Sequence, residues 1–208
     1  MPAYRVSWAV ALSLLVCGSP ATSQRAEPSP SGPIEWEADS FSLDRKAGVT
    51  TFDGFRIEAG SWTLVADRAS AHSDSLDFGR GEWRFEGHVR VSIDGTSVTA
   101  DQAVFTFDDK ELVVAELTGT PVVFEEPAAD SGEPVVGQAE QLRLDYRNET
   151  VELIGSVALT VGPYKTTGCD LVYFLGTERF TTGSLQCSEP FRTIIVREED
   201  GDEPASEP

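Results

Sequence analysis

The sequence predicts an all-β fold: an elongated, twisted β-jellyroll of about five stacked strand-turn-strand repeats. Three observations favour it. A small residue followed by an acid recurs along the chain, each time ahead of an alternating apolar row. A second apolar segment, centred on a glycine, follows each copy. Finally, no segment between Ile34 and Val196 has the 3.6-residue apolar period of a helix.

The acids of the repeat recur at similar intervals. Successive copies lie 28, 34, 39 and 30 residues apart. A period of this size is typical of stacked units that cannot bury an apolar face alone. The acids are Asp39, Asp67, Asp101, Glu140 and Asp170. The glycines of the second arms are Gly54, Gly87, Gly119, Gly155 and Gly183.

Within one repeat the apolar period is two, as the fourth copy illustrates. Its first arm places Glu140, Leu142 and Leu144 on one side of a strand and Ala139 on the other. After the turn "RNET", the second arm carries a matching apolar row on alternate residues from Val151. Alternation on both arms predicts two strands with one buried face.

Stacking the repeats predicts a shared apolar interior. In the first repeat, Phe55 and Ile57 follow Gly54 at odd offsets where the other copies use even ones, which indicates either a β-bulge or a misalignment of the repeat there. A stack of this kind ends in open strand edges, which invite pairing with another chain. The predicted interior residues are Phe41, Phe85, Phe105, Phe107, Val123, Leu142, Leu144, Val157 and Leu159.

The flanking segments differ in composition from the repeats. Residues 1–23 combine Arg5, an apolar run from Val6 to Val16 and a small-residue site, which predicts a cleaved signal peptide. A lipid-modified Cys17 is the rival interpretation, and Val16 before it is a poor fit. Residues 24–33 are a predicted linker, residues 34–197 the β-jellyroll domain, and residues 198–208 an acidic, disordered tail.

Export to an oxidising compartment affects which cysteines remain and whether they form a disulfide. Removal of the signal peptide leaves Cys169 and Cys187. In an oxidising compartment such a pair favours a disulfide that ties down the last repeat, with two free buried thiols as the alternative.

The charge is strongly negative: 16 Lys and Arg stand against 35 Asp and Glu, a formal net charge of −19. Much of the excess lies in the tail and in the loop Glu125–Pro134. The sequence has no basic patch of the kind that binds DNA or RNA, so we expect no nucleic-acid partner.

The repeated acids are predicted to be structural. A glycosidase needs one pair of carboxylates rather than one per repeat, and repeat calcium sites carry several acids and glycines per turn. We expect each acid to open a strand and to accept backbone N–H bonds at the bend between repeats. His72 and His88 are expected at the surface, and we predict no catalytic residue, metal site or cofactor.

The ordered series of segments resembles the LptA/OstA family of periplasmic lipopolysaccharide-transport proteins. The matching segments are "VTADQAVFTF", "VVAELTGTPVVFEE", "VVGQAEQLRLDYRNETVELIGSVALT", "GCDLVYFLGTERFTTGS" and "FRTIIV", within residues 65–196. The resemblance implies a V-shaped β-jellyroll in the periplasm that holds the acyl chains of lipid A, the lipid part of lipopolysaccharide. It also implies self-association through edge strands, and partners like LptC at the inner membrane and LptD at the outer membrane.

Three alternatives stay open at this point. The chain could be a component like LptC, or like the N-terminal domain of LptD, in the same machine. It could be a structural β-solenoid that carries no cargo. A jellyroll glycan hydrolase is the enzyme alternative, and it requires two neighbouring acids to act together.

Overall fold

The computed structural model of the protein describes residues 35–72, 80–93, 95–128, 133–174, 177, 179–182 and 190–196. The predicted signal peptide, linker and acidic tail lie outside these residues, as do Gly183 and Cys187. The regular elements of the described residues are all strands, which confirms the all-β prediction. They are β1 (Glu35–Glu37), β2 (Ser40–Asp44), β3 (Val49–Ala59), β4 (Trp62–His72), β5 (Gly81–Ile93), β6 (Thr96–Asp108), β7 (Glu111–Glu126), β8 (Val135–Asp145), β9 (Thr150–Val161), β10 (Tyr164–Phe174), β11 (Arg179–Thr182) and β12 (Arg192–Ile195).

The strands form one antiparallel sheet in which each of β3 to β10 pairs with the next strand of the sequence. Both edges of the sheet are built from two short strands. At one edge, β1 and β2 pair with successive parts of β3. At the other, β12 and β11 pair with successive parts of β10. Each strand from β4 to β9 therefore forms its backbone hydrogen bonds only with its neighbours in sequence, as expected for stacked hairpins.

Aspartates at the ends of strands fix two of the hairpin turns. Asp44 Oδ1 accepts hydrogen bonds from the backbone N–H of Lys46 at 2.8 Å and of Ala47 at 3.1 Å. In the turn after β8, Asp145 Oδ1 accepts from the Asn148 N–H at 3.0 Å, and its Oδ2 accepts from Asn148 Nδ2 at 2.9 Å. Each carboxylate satisfies N–H groups that the tight turn leaves without a ladder partner.

The sheet folds across its middle, so that two half-sheets face each other. Trp36 pairs with Ile57, five residues along β3 from Phe52. A straight strand would separate these positions by roughly 16 Å, whereas the Trp36 and Phe52 rings are 5.3 Å apart. The first half-sheet contains β2, β11 and residues 49–53, 68–72, 81–86, 102–108, 111–118, 141–145, 150–154 and 171–174. The second contains β1, β12 and residues 55–59, 62–66, 89–93, 96–100, 122–126, 135–139, 157–161 and 164–168.

The apolar core lies between the two half-sheets. Its largest side chains, Trp83, Phe52, Phe55 and Phe85, are all less than 2% exposed. Along β5 the buried residues alternate as the sequence pattern requires, with Trp83 and Phe85 inside and Arg84 and Glu86 outside. The folded sheet thus buries its single apolar face against itself, and a separate covering layer is unnecessary.

Three details of the sequence prediction are wrong. Val123 lies outside the core and its neighbour Val122, which is 2% exposed, takes the place inside, because adjacent residues of a strand point to opposite faces. The acids from Asp67 onward lie in the middle of strands rather than at their starts. The pairing of β3 with β4 runs through Gly54 with no change of register, so the predicted bulge is absent there.

Asp145 makes the stability of the fold depend on pH. The backbone N–H of Asn148 is the main cause that lowers the pKa of Asp145, with the Asn148 side chain and Arg143 also lowering it against the effect of burial. Because the folded-state pKa lies below the ordinary value near 4, the stabilisation is present above that pH and is lost as the pH falls through the folded-state pKa. Asp145→Asn should therefore lower the free energy of unfolding at pH 7 but not at strongly acid pH, as measured by urea unfolding.

The matched control is Asp109→Asn, since Asp109 is an exposed turn aspartate paired with Arg80. Exposed ion pairs contribute little, so this change should have almost no effect at either pH. A destabilisation by Asp145→Asn that is the same at both pH values would contradict the assignment.

Candidate functional site

A line of acids and glycines crosses the sheet where the two half-sheets meet. We call it the bend line; it is made of Asp39, Gly54, Asp67, Gly87, Asp101, Gly119, Glu140, Gly155 and Asp170. Gly54 stands opposite Asp67 in the β3–β4 pairing. In every pairing from β4–β5 to β9–β10 the register shifts at this level. The first arm of each sequence repeat therefore contributes an acid to the bend line, and the second arm contributes a glycine.

Most of the bend-line acids accept hydrogen bonds from a neighbouring strand. Asp101 Oδ2 accepts from the backbone N–H and from Oγ1 of Thr120, both at 3.1 Å. Glu140 Oε1 accepts from Ser156 Oγ at 3.0 Å, and Asp170 Oδ1 accepts from the Gly155 N–H at 2.9 Å. These bonds satisfy groups that the register shift removes from the ladder. They support the structural role predicted for the acids.

Asp67 has a histidine as its partner. Its Oδ2 lies 2.7 Å from Nδ1 of His88, a residue with a positive φ of 45°. This hydrogen bond is the main cause that raises the pKa of His88, and the negative charge of Asp67 adds to it. Both side chains are exposed, so the pair stabilises the local bend and does not form a buried acid-base site.

The glycines of the bend line leave room for these carboxylates. Gly54, Gly87 and Gly155 have positive φ values of 61°, 75° and 89°. A methyl group on Gly54 would collide with the Asp39 carboxylate, and one on Gly87 with that of Asp67. Glycine is therefore required for two reasons, the backbone conformation and the close approach.

The predicted interior residues occupy three kinds of position. Leu144 and Leu159 are partly buried against the core. Phe41 faces the interior opposite Phe52, yet it is 67% exposed because it lies on the edge strand β2. Val123 lies outside the core. The fully buried members are Phe85, Phe105, Phe107, Leu142 and Val157.

Sequence reasoning missed several residues of the interior. Phe52, Phe55, Val122, Ala139 and Leu171 all belong to the buried core. Ala139 and Leu142 are both buried although strict alternation places them on opposite faces. The repeated acid is the signal that could have found them. In β8 the inward-facing residues occupy odd-numbered positions before Glu140 and even-numbered positions after it, so strict alternation fails at that acid.

Apolar side chains of the interior reach solvent at both ends of the sheet. Trp36, Phe41 and Leu43 are exposed at the edge formed by β1 and β2. Tyr164 and Ile195, which pair with each other, are exposed at the edge formed by β10 and β12. The apolar lining of the interior thus continues to exposed side chains at both ends of the sheet.

The outer surface also carries a shallow cleft of about 660 Å³ near the bend line. Its lining is mixed, with the polar residues Gln138, Glu140, Ser156 and Thr167 beside apolar residues such as Pro121, Ala158 and Pro190. Within the part of the chain that the structure describes, no group of three or more His, Cys, Asp or Glu side chains is placed to hold a metal ion. No helix among those residues is long and apolar enough to cross a membrane.

Cys169 lies beside Asp170 on the bend line and is disulfide-bonded. Its predicted partner, Cys187, lies outside the described residues. The pairing of these two cysteines therefore stays a prediction.

The sequence places this folded sheet among known proteins. Residues 69–179 match the family model of the LptA/(LptD N-terminal domain) LPS transport proteins, where LPS is lipopolysaccharide. The match spans more than half of the 208 residues. The chain belongs to this family. The resemblance seen in the repeats is confirmed, and the family is one of transport proteins rather than a class of enzymes.

A solved structure agrees with this membership at the level of the fold. The crystal structure of LptH, described as the LptA-homologous periplasmic component of the lipopolysaccharide transport device of Pseudomonas aeruginosa, matches with a TM-score of 0.50 and 18% identity. The match covers 82% of this LptA-family chain and 99% of LptH. At this identity the likeness shows a shared fold alone. Among curated proteins there is no match.

The contact between Asp67 and Gly87 can be tested by substitution. Gly87→Ala places a side chain at a positive φ and against the Asp67 carboxylate, so we expect a loss of roughly 2–3 kcal/mol in the free energy of unfolding. Gly48 has a similar φ of 64°, and a methyl group there would meet nothing within 4 Å. Gly48→Ala should therefore cost only the backbone strain, about 1 kcal/mol.

Urea unfolding of both variants measures the difference. Adding Asp67→Ala to Gly87→Ala should recover the part of the loss that the collision causes, leaving the backbone strain. Equal losses for the two glycine variants would show that the carboxylate does not restrict this position.

Proposed function

We propose that the chain is a periplasmic carrier that shields the acyl chains of lipopolysaccharide in the apolar passage between its half-sheets. The observation that carries the proposal is the continuity of the apolar interior, whose lining reaches exposed apolar residues at both ends. Because the family is one of LPS transport proteins, lipopolysaccharide is the proposed cargo.

Acyl burial provides enough free energy for such a carrier. Each methylene moved from water to an apolar lining contributes about 0.8 kcal/mol, so a chain of about a dozen carbons gains up to roughly 10 kcal/mol before ordering costs. Leu144 and Leu159 are partly buried against the core and offer surface to such a chain. The outward face of the sheet, with its excess of acids, offers no comparable apolar area.

The two edges of the sheet are suited to join one copy to the next. β1 and β12 both belong to the second half-sheet, and β2 and β11 both belong to the first. Placing β1 beside β12 of another copy continues the antiparallel order and the passage together. The charges also match, since Glu35 and Glu37 lie on β1, while Arg192 lies on β12 and Lys165 lies on the adjacent strand β10.

In this proposal the assembled chain bridges an inner-membrane component like LptC and an outer-membrane component like LptD. Strand addition at the two edges would make both contacts, because an edge strand pairs with any suitable strand. The family description covers both LptA and the N-terminal domain of LptD, so a role like that of the LptD domain is the nearest alternative within the same machine.

Photocrosslinking in cells tests the carrier directly. A photoreactive residue at Leu144 should capture lipopolysaccharide, because Leu144 faces the passage and is only partly buried. The control is Val136, an apolar residue of the same strand that lies exposed on the outer face. We expect capture at Leu144 and none at Val136.

Capture at neither position, in a protein that is folded and exported, would remove the carrier proposal. The structural β-solenoid without cargo would then be the better account. Equal capture at both positions would indicate contact with membranes or micelles rather than a lined passage.

The assembly is tested at the β2 edge. Phe41→Lys puts a charge where the passage of one copy would continue into the next, whereas Ser42→Lys adds the same charge to the outer face of the same strand. Losing the burial of one aromatic side chain corresponds to about 2 kcal/mol, or more than tenfold in affinity. Sedimentation velocity over a range of concentrations should show weaker association for Phe41→Lys only. Equal weakening by both changes would mean that net charge, rather than the apolar junction, controls association.

A further inference from the structure

The cleft on the outer surface of the sheet is a feature that the carrier proposal does not use. It crosses β7 to β10 at the bend line and has a volume of about 660 Å³. This lies within the range of about 300–1,000 Å³ that is usual for small-molecule sites. The passage lies on the opposite face of the same strands, since Ala139 and Val157 are buried in the core beside the outward-facing Gln138 and Ala158. The cleft is therefore a separate surface.

Small side chains on β9 form the floor of the cleft. Ser156 and Ala158 are successive outward residues of this strand, and both line the cleft. Gln138 and Thr167 lie beside Ala158 on the two adjacent strands. Because a Ser and an Ala side chain extend only a short distance from a sheet, the floor lies close to the backbone of β9 and leaves space above it.

Two acceptor groups in the cleft are held in place by neighbouring side chains. Glu140 Oε1 accepts a hydrogen bond from Ser156 Oγ at 3.0 Å, and among the described residues Glu140 Oε2 has no donor. Thr120 Oγ1 donates its one proton to Asp101 Oδ2 at 3.1 Å, so this hydroxyl oxygen can only accept from a ligand. Both groups are thus positioned before a ligand binds.

The remaining polar side chains of the cleft are open to a ligand. In the part of the chain that the structure describes, the side chains of Gln138 and Thr167 form no hydrogen bond. An amide and a hydroxyl can each donate and accept. Together with the two fixed acceptors they match a ligand with several hydroxyl groups, because every hydroxyl of such a ligand both donates and accepts.

The rest of the lining distinguishes between classes of ligand. Pro121, Ala158 and Pro190 provide apolar surface that suits the C–H faces of a sugar ring. No Lys or Arg among the described residues lines the cleft, and Glu140 is negative, so an anionic ligand is disfavoured. The described lining also lacks Trp, Tyr, Phe and Met, which are enriched at protein interfaces. The lining therefore favours a neutral carbohydrate over an anion or a protein.

We propose that the cleft binds a neutral carbohydrate, a short glycan of N-acetylated hexoses, on the outer face of the sheet. Glu140 and Thr120 accept hydrogen bonds from its hydroxyl groups. Gln138 and Thr167 exchange hydrogen bonds with the same ligand, and Ala158 contacts one ring. The glycan is a separate molecule from any cargo in the passage, because one layer of sheet lies between the two surfaces.

Amide chemical shifts of the full chain, labelled for nuclear magnetic resonance, test the site. The probe is tri-N-acetylchitotriose, a neutral trisaccharide. Its addition should shift the resonances of the residues that line the cleft, which are residues 119–121, 138–140, 156–158 and 167–168. Gln138→Ala should weaken the affinity by about threefold to tenfold, as the loss of one hydrogen bond does.

A pair of leucine variants on β9 provides the matched control. Ala158→Leu fills the floor of the cleft and should abolish the shifts. Thr160→Leu adds the same side chain at the next outward position, outside the cleft, and should leave the affinity unchanged. The dispersion of the amide spectrum without probe verifies that each variant is folded.

A second titration uses the acidic sugar part of lipopolysaccharide, freed of its lipid. We expect it to bind more weakly than the trisaccharide. Shifts at the cleft with the acidic probe alone would overturn the neutral class and would identify the sugar of the cargo as the ligand. No shifts with either probe, or equal affinity of Ala158→Leu and Thr160→Leu for the trisaccharide, would overturn the site. Neither probe has an acyl chain, so the carrier proposal still depends on the capture experiment at Leu144.

Discussion

The contact between an acid on one strand and a glycine or backbone N–H on a neighbouring strand determines how this sheet folds. One face of the sheet is apolar, and a flat sheet of this length would leave that face in water. The bend line solves the problem within the sheet, because its carboxylates accept hydrogen bonds from backbone N–H groups that the ladder loses where the strands change direction. Every strand from β3 to β10 crosses it, so the two half-sheets, the core and the passage all depend on it.

The sequence predicts most of this architecture because hairpins are local. Period-two rows and turn residues lie next to each other in the chain, so the strands, their order and the buried positions of Phe85, Leu142 and Val157 can be predicted from neighbours alone. The errors lie at the bend line. There the parity of inward residues changes, and Val122 rather than Val123 enters the core. That change depends on the angle between two half-sheets, which no short segment encodes.

The site is less predictable than the fold. An alternating apolar row looks the same whether it lines a passage or fills a core, since both remove the same side chains from water. The rings that separate the two cases, Phe55 against Trp83 for example, come from opposite half-sheets and meet only in the folded protein. Ion pairs do not distinguish a lined passage from a filled core either. Arg147 with Asp108 and Arg80 with Asp109 lie on the exposed surface, where they contribute little.

The two edges of the sheet each consist of a pair of short strands rather than one long strand. A straight, extended segment from an unrelated protein can therefore match only half of either edge before the direction of the edge changes. Exposed edges are a common origin of aggregation, and short, interrupted edges are one of the ways in which proteins limit it. A chain whose edge strands change direction at the same position can pair with both short strands of the edge. The geometry of the fold thus discriminates by shape between a family member and an arbitrary β-strand, before any side chain is compared.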